Sequence, residues 1–159
     1  MERTILIPID FKIESLNTLK LALNSIENEH ANVVLMYAEY LTDSITELLF
    51  YSPKKTIKSL KSPEFEEAIS IIKNRYETVI RSIEVELFHG YNVNAFKEFV
   101  EAKKIDTIYI PKNYSLRLSK NGFDPIPLIK KSKLPYQEIG WETSTYTSEQ
   151  LQLNALFSY

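Results

Sequence analysis

The sequence has no cysteine, only three glycines, one tryptophan, two histidines and no long apolar run. Without cysteine there is no disulfide, no thiolate nucleophile and no cysteine-ligated metal. His30 and His89 stand in no H-x-x-x-H or H-E-x-x-H spacing, so the helical zinc patterns are excluded and both read as surface or turn residues. No G-x-S-x-G occurs, which removes the nucleophile elbow of the α/β hydrolases. No stretch approaches the ~18 apolar residues of a spanning helix. The opening "MERTILIPID" lacks a signal-peptide pattern because Pro8 and Asp10 break its short apolar run, so cytoplasm is expected. Nineteen basic against 21 acidic side chains leave a net charge of −2, too little to gather nucleic acid or an anionic membrane. Scarcity of glycine bears most on function. Loops that cradle phosphates rely on residues without a side chain, and here only Gly90, Gly122 and Gly140 are available.

What is present points to one α/β domain of 159 residues, 44% of them apolar, enough for a real core. "TILIPI" (residues 4–9) reads as a strand buried on both faces, with Asp10 at its carboxyl end. Leu16, Leu19, Leu23 and Ile26 follow at helical spacing with Ser15 as N-cap. "NVVLMYA" is a second buried strand. Residues 39–62 form a long excursion with a short helix around Ile45, Leu48 and Leu49 that Pro53 ends. Phe65, Ile69, Ile72, Tyr76, Val79 and Ile83 predict a helix of about five turns, with Ser62 as cap, Pro63 at its first position and an acidic first turn; it frays near Arg81 as "IEVELF" begins a third strand. Asn92 caps a further helix with Phe96, Phe99 and Val100 inward. "DTIYI" is the fourth strand. A helix starts near Asp124 with Pro125 first, and "PYQEIGW" is an edge strand opened by Pro135. Residues 142–159 form an extension in which "TSEQ" fits a capping box and Leu151, Leu153, Leu156 and Phe157 are available to dock.

Strands alternating with helices predict a doubly wound, Rossmann-like parallel sheet of five strands, ordered 3-2-1-4-5, with helices on both faces. Ligands on such sheets sit beyond the carboxyl ends of the strands where the order reverses, here between strands one and four. Lys112, Arg117 and Lys120 make the loop after strand four basic, which reads first as a solvated face and alternatively as a contact for an anion; the cluster Lys54, Lys55, Lys58 and Lys61 likewise reads first as a solvated face and alternatively as an anion or partner site. Tyr37, Tyr109, Tyr114 and Tyr136 gather at strands or strand ends, either as ordinary packing or as rings filling the space a nucleotide takes elsewhere.

Three segments then resemble the universal stress protein family. "ILIPIDF" is similar to its first strand, ending in Asp10. "FHGYNVNAFKEFVEAKKIDTIYI" resembles its third strand, turn glycine (Gly90), helix and fourth strand opened by Asp106. "GFDPIPLIKKSKLPYQEI" resembles its last helix and strand, with Pro135 between them. The match spans residues 4–140, so residues 1–141 are expected to form the domain. The resemblance implies frequent homodimers and, in many members, ATP held by G-x2-G-x9-G-[S/T] after the fourth strand. Here the first two glycine positions fall on Pro111 and Tyr114, the third on Gly122, and the hydroxyl position on Phe123, with the interval two residues short. The nucleotide site it implies, in vestigial form, comprises Asp10, Phe11, Tyr37, Lys112, Gly122 and Phe123. Asp10 reads equally as a partner of adenine or ribose and as a strand-end cap; Gly122 reads first as a plain turn glycine. The leading expectation is a non-catalytic stress-response or signalling domain with no cofactor, not holding ATP through the usual loop. Phe123 is available to turn inward and plug it. The alternatives are ATP or AMP binding through a divergent loop, and a nucleotide-dependent enzyme of the same fold. A homodimer is expected through the fifth strand, aided by the extension; no metal, nucleic acid or membrane is expected.

Overall fold

A computed structural model describes residues 2–26, 28–41 and 43–141. The proposed capping box and apolar positions of the extension lie outside them. The strands are β1 (Glu2–Pro8), β2 (His30–Ala38), β3 (Ile80–Phe88), β4 (Thr107–Pro111) and β5 (Tyr136–Ile139), all parallel and ordered β3-β2-β1-β4-β5. The order is the expected one, and it makes β1 central. Alternation along β1 sends Ile5 and Ile7 to one face and Leu6 to the other, each fully buried.

The helices are α1 (Leu16–Asn24), α2 (Ile45–Leu49), α3 (Pro53–Leu60), α4 (Pro63–Arg75), α5 (Val93–Ala102) and α6 (Ile126–Lys131). Leu16, Leu19 and Leu23 of α1, and Phe65, Ala68 and Ile72 of α4, close the core over Ile5, Ile7, Leu35 and Tyr37. Phe96 of α5 and Ile129 of α6 close the opposite layer over Leu6, Met36, Ile108 and Ile110. Each Leu, Ile, Phe or Met among them contributes about 1.5–3 kcal/mol through burial. Ser62 and Asn92 cap as expected, their side chains accepting from the N–H groups of Phe65 (3.1 Å) and Ala95 (2.8 Å).

Four local expectations are corrected. The helix over Phe65 stops at Arg75, and Tyr76 closes it by donating its N–H to Ile72. Val79 lies in the turn and Ile83 in β3, because the β-branched run from Val79 gains a parallel ladder with β2 that a sixth helical turn would forfeit. Pro53 opens α3, with Ser52 as its cap, so the 39–62 excursion holds two helices. Ser15 does not cap α1. A short 3₁₀ turn (Ile13–Ser15) precedes that helix, and the Ser15 hydroxyl turns back to Lys12 and Asp10. The last helix begins at Ile126, with the Asp124 carboxylate accepting its N–H at 3.0 Å. No helix among the described residues is long and apolar enough to cross a membrane.

Candidate functional site

Asp10 lies two residues past β1, at the switch between β1 and β4, and is 4% exposed. Its carboxylate is fully engaged by its own chain. Oδ1 accepts the Lys12 N–H at 2.9 Å, and Oδ2 accepts the Arg117 N–H at 2.8 Å and the Tyr114 hydroxyl at 2.5 Å. These donors neutralise the cost of burying a charge. The phenol of Tyr114 is driven far above its usual range, first by burial and next by its bond to Asp10. The Trp141 ring stacks on Tyr114 at 4.6 Å, its Nε1–H donates to Thr18, and its backbone is pinned by the Asn113 amide. Arg117 pairs with Glu14.

Phe11 follows at φ 62°, a conformation costing a bulky residue about 1–2 kcal/mol. The strain is held by packing, since its ring is buried against Tyr37 (4.9 Å) and Phe65 (5.4 Å). The turn lets Asp10 face the loop after β4 while the next residue dives into the core.

A cleft of about 450 Å³ opens beside this carboxylate, lined among others by Glu14, Leu60, Glu64, Arg117 and Ser119. Of the six residues expected from sequence, Asp10, Phe11 and Tyr37 border it. The other three do not. Lys112 is exposed and tied through its N–H to Ile139 of β5. Gly122 abuts Tyr37: a Cβ there would lie 2.4 Å from the phenol oxygen. That oxygen pairs with the Ser119 hydroxyl at 2.7 Å and accepts the Ser119 N–H. Phe123 does turn inward, but into the opposite layer, against Tyr40 (4.7 Å) and Phe88 (6.3 Å). The ring that fills the Asp10 site is Tyr114. A tyrosine standing where a glycine was expected was the signal available for it; Trp141 and Ser15 left none.

The loop fits a triphosphate poorly. The N–H groups of Lys112, Arg117, Ser119, Gly122 and Phe123 all donate within the chain. Pro111 has none to give. The first N–H of α6, where a phosphate would meet a helix end, donates to an acidic side chain instead.

A second, partly buried polar cluster lies at the far side of the same sheet end. His89 Nε2 is 2.9 Å from Glu39 Oε1 and 2.7 Å from the Tyr51 hydroxyl, which itself donates to Glu39 at 3.0 Å. Nε2 so close to a carboxylate carries a proton. The Tyr51 phenol is pushed up to about 12, by burial first and then by Glu39. Sequence placed His89 in a turn but gave no sign of these partners. Among the described residues no group of three or more histidine or carboxylate side chains is arranged to hold a metal ion.

No family model matches the sequence, and no curated protein matches it. Solved structures do. A universal stress protein, UspA, from Lactobacillus plantarum is 10% identical over 88% of this chain and 97% of that one, with a TM-score of 0.54. A protein of the universal stress protein family from Burkholderia pseudomallei is 12% identical over 86% and 94%, at 0.51. The hypothetical protein PH0823 is 17% identical over 90% and 99%, at 0.54. At such identities the likeness is one of fold: the chain has the universal stress protein fold.

Proposed function

We propose that this chain is a divergent universal stress protein domain, non-catalytic, with a stress-response or signalling role that does not run through ATP held at the loop after β4. One observation carries the reading. The carboxylate at the switch point, the residue best placed to receive a nucleoside, is satisfied by Lys12, Tyr114 and Arg117. A nucleotide entering there would have to break a buried charge-assisted bond, worth about 1.5–3 kcal/mol, before gaining any contact. The donors that elsewhere meet phosphate are likewise spent on the loop's own geometry.

A second reading, ATP or AMP bound through a divergent loop, draws on the cleft itself, whose size falls in the ~300–1,000 Å³ range of ligand sites. Native mass spectrometry of the purified chain separates the two. The expected spectrum carries the polypeptide mass without a retained nucleotide. A stoichiometric ATP or AMP adduct would favour the second reading.

A further inference from the structure

The amino end of the sheet, opposite the Asp10 cleft, carries a separate cavity of about 360 Å³. Its place follows from the topology. α1 joins two parallel strands and so runs back against them, which leaves Ser25 and Ile26, just past its last turn, over the amino ends of the strands. Arg3 lies on the face of β1 that carries Ile5 and Ile7. Glu29 stands immediately before β2, and Tyr109 and Gln137 are partners across the β4–β5 ladder. These six residues line the cavity.

Tyr109 distinguishes this cavity from an ordinary surface dent. The residue is 2% exposed and packs in the layer under α1, yet its hydroxyl has no hydrogen-bond partner among the described residues. Buried phenols normally find one. Among the described residues the one fully enclosed side-chain polar atom left without a partner is Asn17 Oδ1. The Tyr109 hydroxyl is therefore not sealed in, and the opening that this residue lines is the cavity. The groups around it are only half engaged. Glu29 holds one edge of the Arg3 guanidinium, with Nε at 3.0 Å and Nη2 at 3.3 Å. The other edge, with Nη1, is unbonded among the described residues. The Ser25 hydroxyl donates to the Ala22 carbonyl at 2.7 Å, so its oxygen is left as an acceptor.

We propose that this cavity binds a small free amino acid as its zwitterion. Arg3 and Glu29 lie side by side and cancel, so a ligand with a single charge meets a like charge next to its partner. A ligand with both charges meets an opposite one at each. Its carboxylate takes the free edge of Arg3 and the Tyr109 O–H; its ammonium takes the remaining lone pairs of Glu29, the Ser25 oxygen and the negative end of α1. The Gln137 amide supplies a donor and an acceptor at the rim. The volume is at the small end of the ~300–1,000 Å³ range of ligand sites. The apolar surface inside is Ile26 and the Tyr109 ring, which suits a short apolar side chain such as that of alanine.

Titration of the full, isotope-labelled chain with L-alanine, followed by amide resonances, tests this. Saturable shifts are expected at Ser25, Ile26, Tyr109 and Gln137, with a dissociation constant of about 0.1–1 mM, while Lys12 and Arg117 beside the Asp10 cleft stay in place. Sodium propionate and ethylamine, each with one of the two charges, should bind at least about tenfold more weakly. Tyr109→Phe keeps the ring and removes a hydroxyl with no partner in the chain, so the urea midpoint should hold while alanine binds about fivefold or more weakly. Glu29→Gln removes the ammonium's partner and frees Arg3, so the preference for alanine over propionate should vanish. The proposal is overturned by no saturation up to about 10 mM alanine, by propionate or ethylamine binding as tightly as alanine, by a Tyr109→Phe chain that binds like wild type, by a preference that survives Glu29→Gln, or by shifts centred on Lys12 and Arg117.

Discussion

At the residue scale, Gly122 and Tyr114 carry the reading of the site, and each can be changed alone. Gly122→Ala places a methyl 2.4 Å from the Tyr37 hydroxyl and 3.0 Å from Leu118 Cβ. Overpacking of this kind costs about 1–3 kcal/mol. In a Tyr37→Phe background the closest clash is gone and the cost should fall, so a double-mutant cycle followed by urea denaturation is expected to be non-additive. A glycine kept only for a ligand's approach would show neither effect. Tyr114→Phe removes one of three donors from a nearly buried carboxylate. Because hydrogen bonds to charged groups are the costly ones to lose, stability should fall by about 1.5–3 kcal/mol, read as a lower urea midpoint with an unchanged denaturant slope. Asp10 and Tyr37 were legible in the sequence because a strand end at a switch point is a defined place. The Tyr114 bond was not, because it joins residues 104 positions apart and no local pattern encodes which ring the loop folds inward.

At the element scale, the least legible stretch was the one between β2 and α4. Its helices are short, and α2 has no buried face, so hydrophobic periodicity has nothing to report there. Pro53 reads as a stop in sequence, yet it is also a good first residue, and Ser52 before it supplies the cap. The α4–β3 boundary was blurred for a different reason. Val79 and Ile83 satisfy both the helical and the strand period, and pairing with β2 decides between them. The Glu39–Tyr51–His89 tie helps hold the excursion to the sheet, alongside the packing of Ile57 and Leu60 against the core, and its alkaline behaviour is a test. The Tyr51 phenol is raised in the folded state to about 12, from about 10 when unfolded. The unfolded chain therefore loses this proton first. Stability from the raised phenol is complete below about pH 10 and drains away as pH climbs towards 12. The melting advantage of wild type over Tyr51→Phe should shrink across that interval, and an advantage constant with pH would contradict the tie.

At the scale of the whole molecule, topology was the most legible feature, because doubly buried apolar strands alternating with helices admit few arrangements. The order β3-β2-β1-β4-β5 puts Asp10 at the switch point, where this architecture presents ligands. The crevice at that point is present in the fold, and the Asp10 carboxylate and the loop amides beside it are hydrogen-bonded within the chain. Calorimetric titration of the full chain with ATP and magnesium measures this directly. The account predicts no saturable heat at millimolar nucleotide. A dissociation constant of about 10 μM or tighter, worth roughly 7 kcal/mol, would contradict it, since affinity of that order requires Asp10 and the loop amides to be open to a ligand.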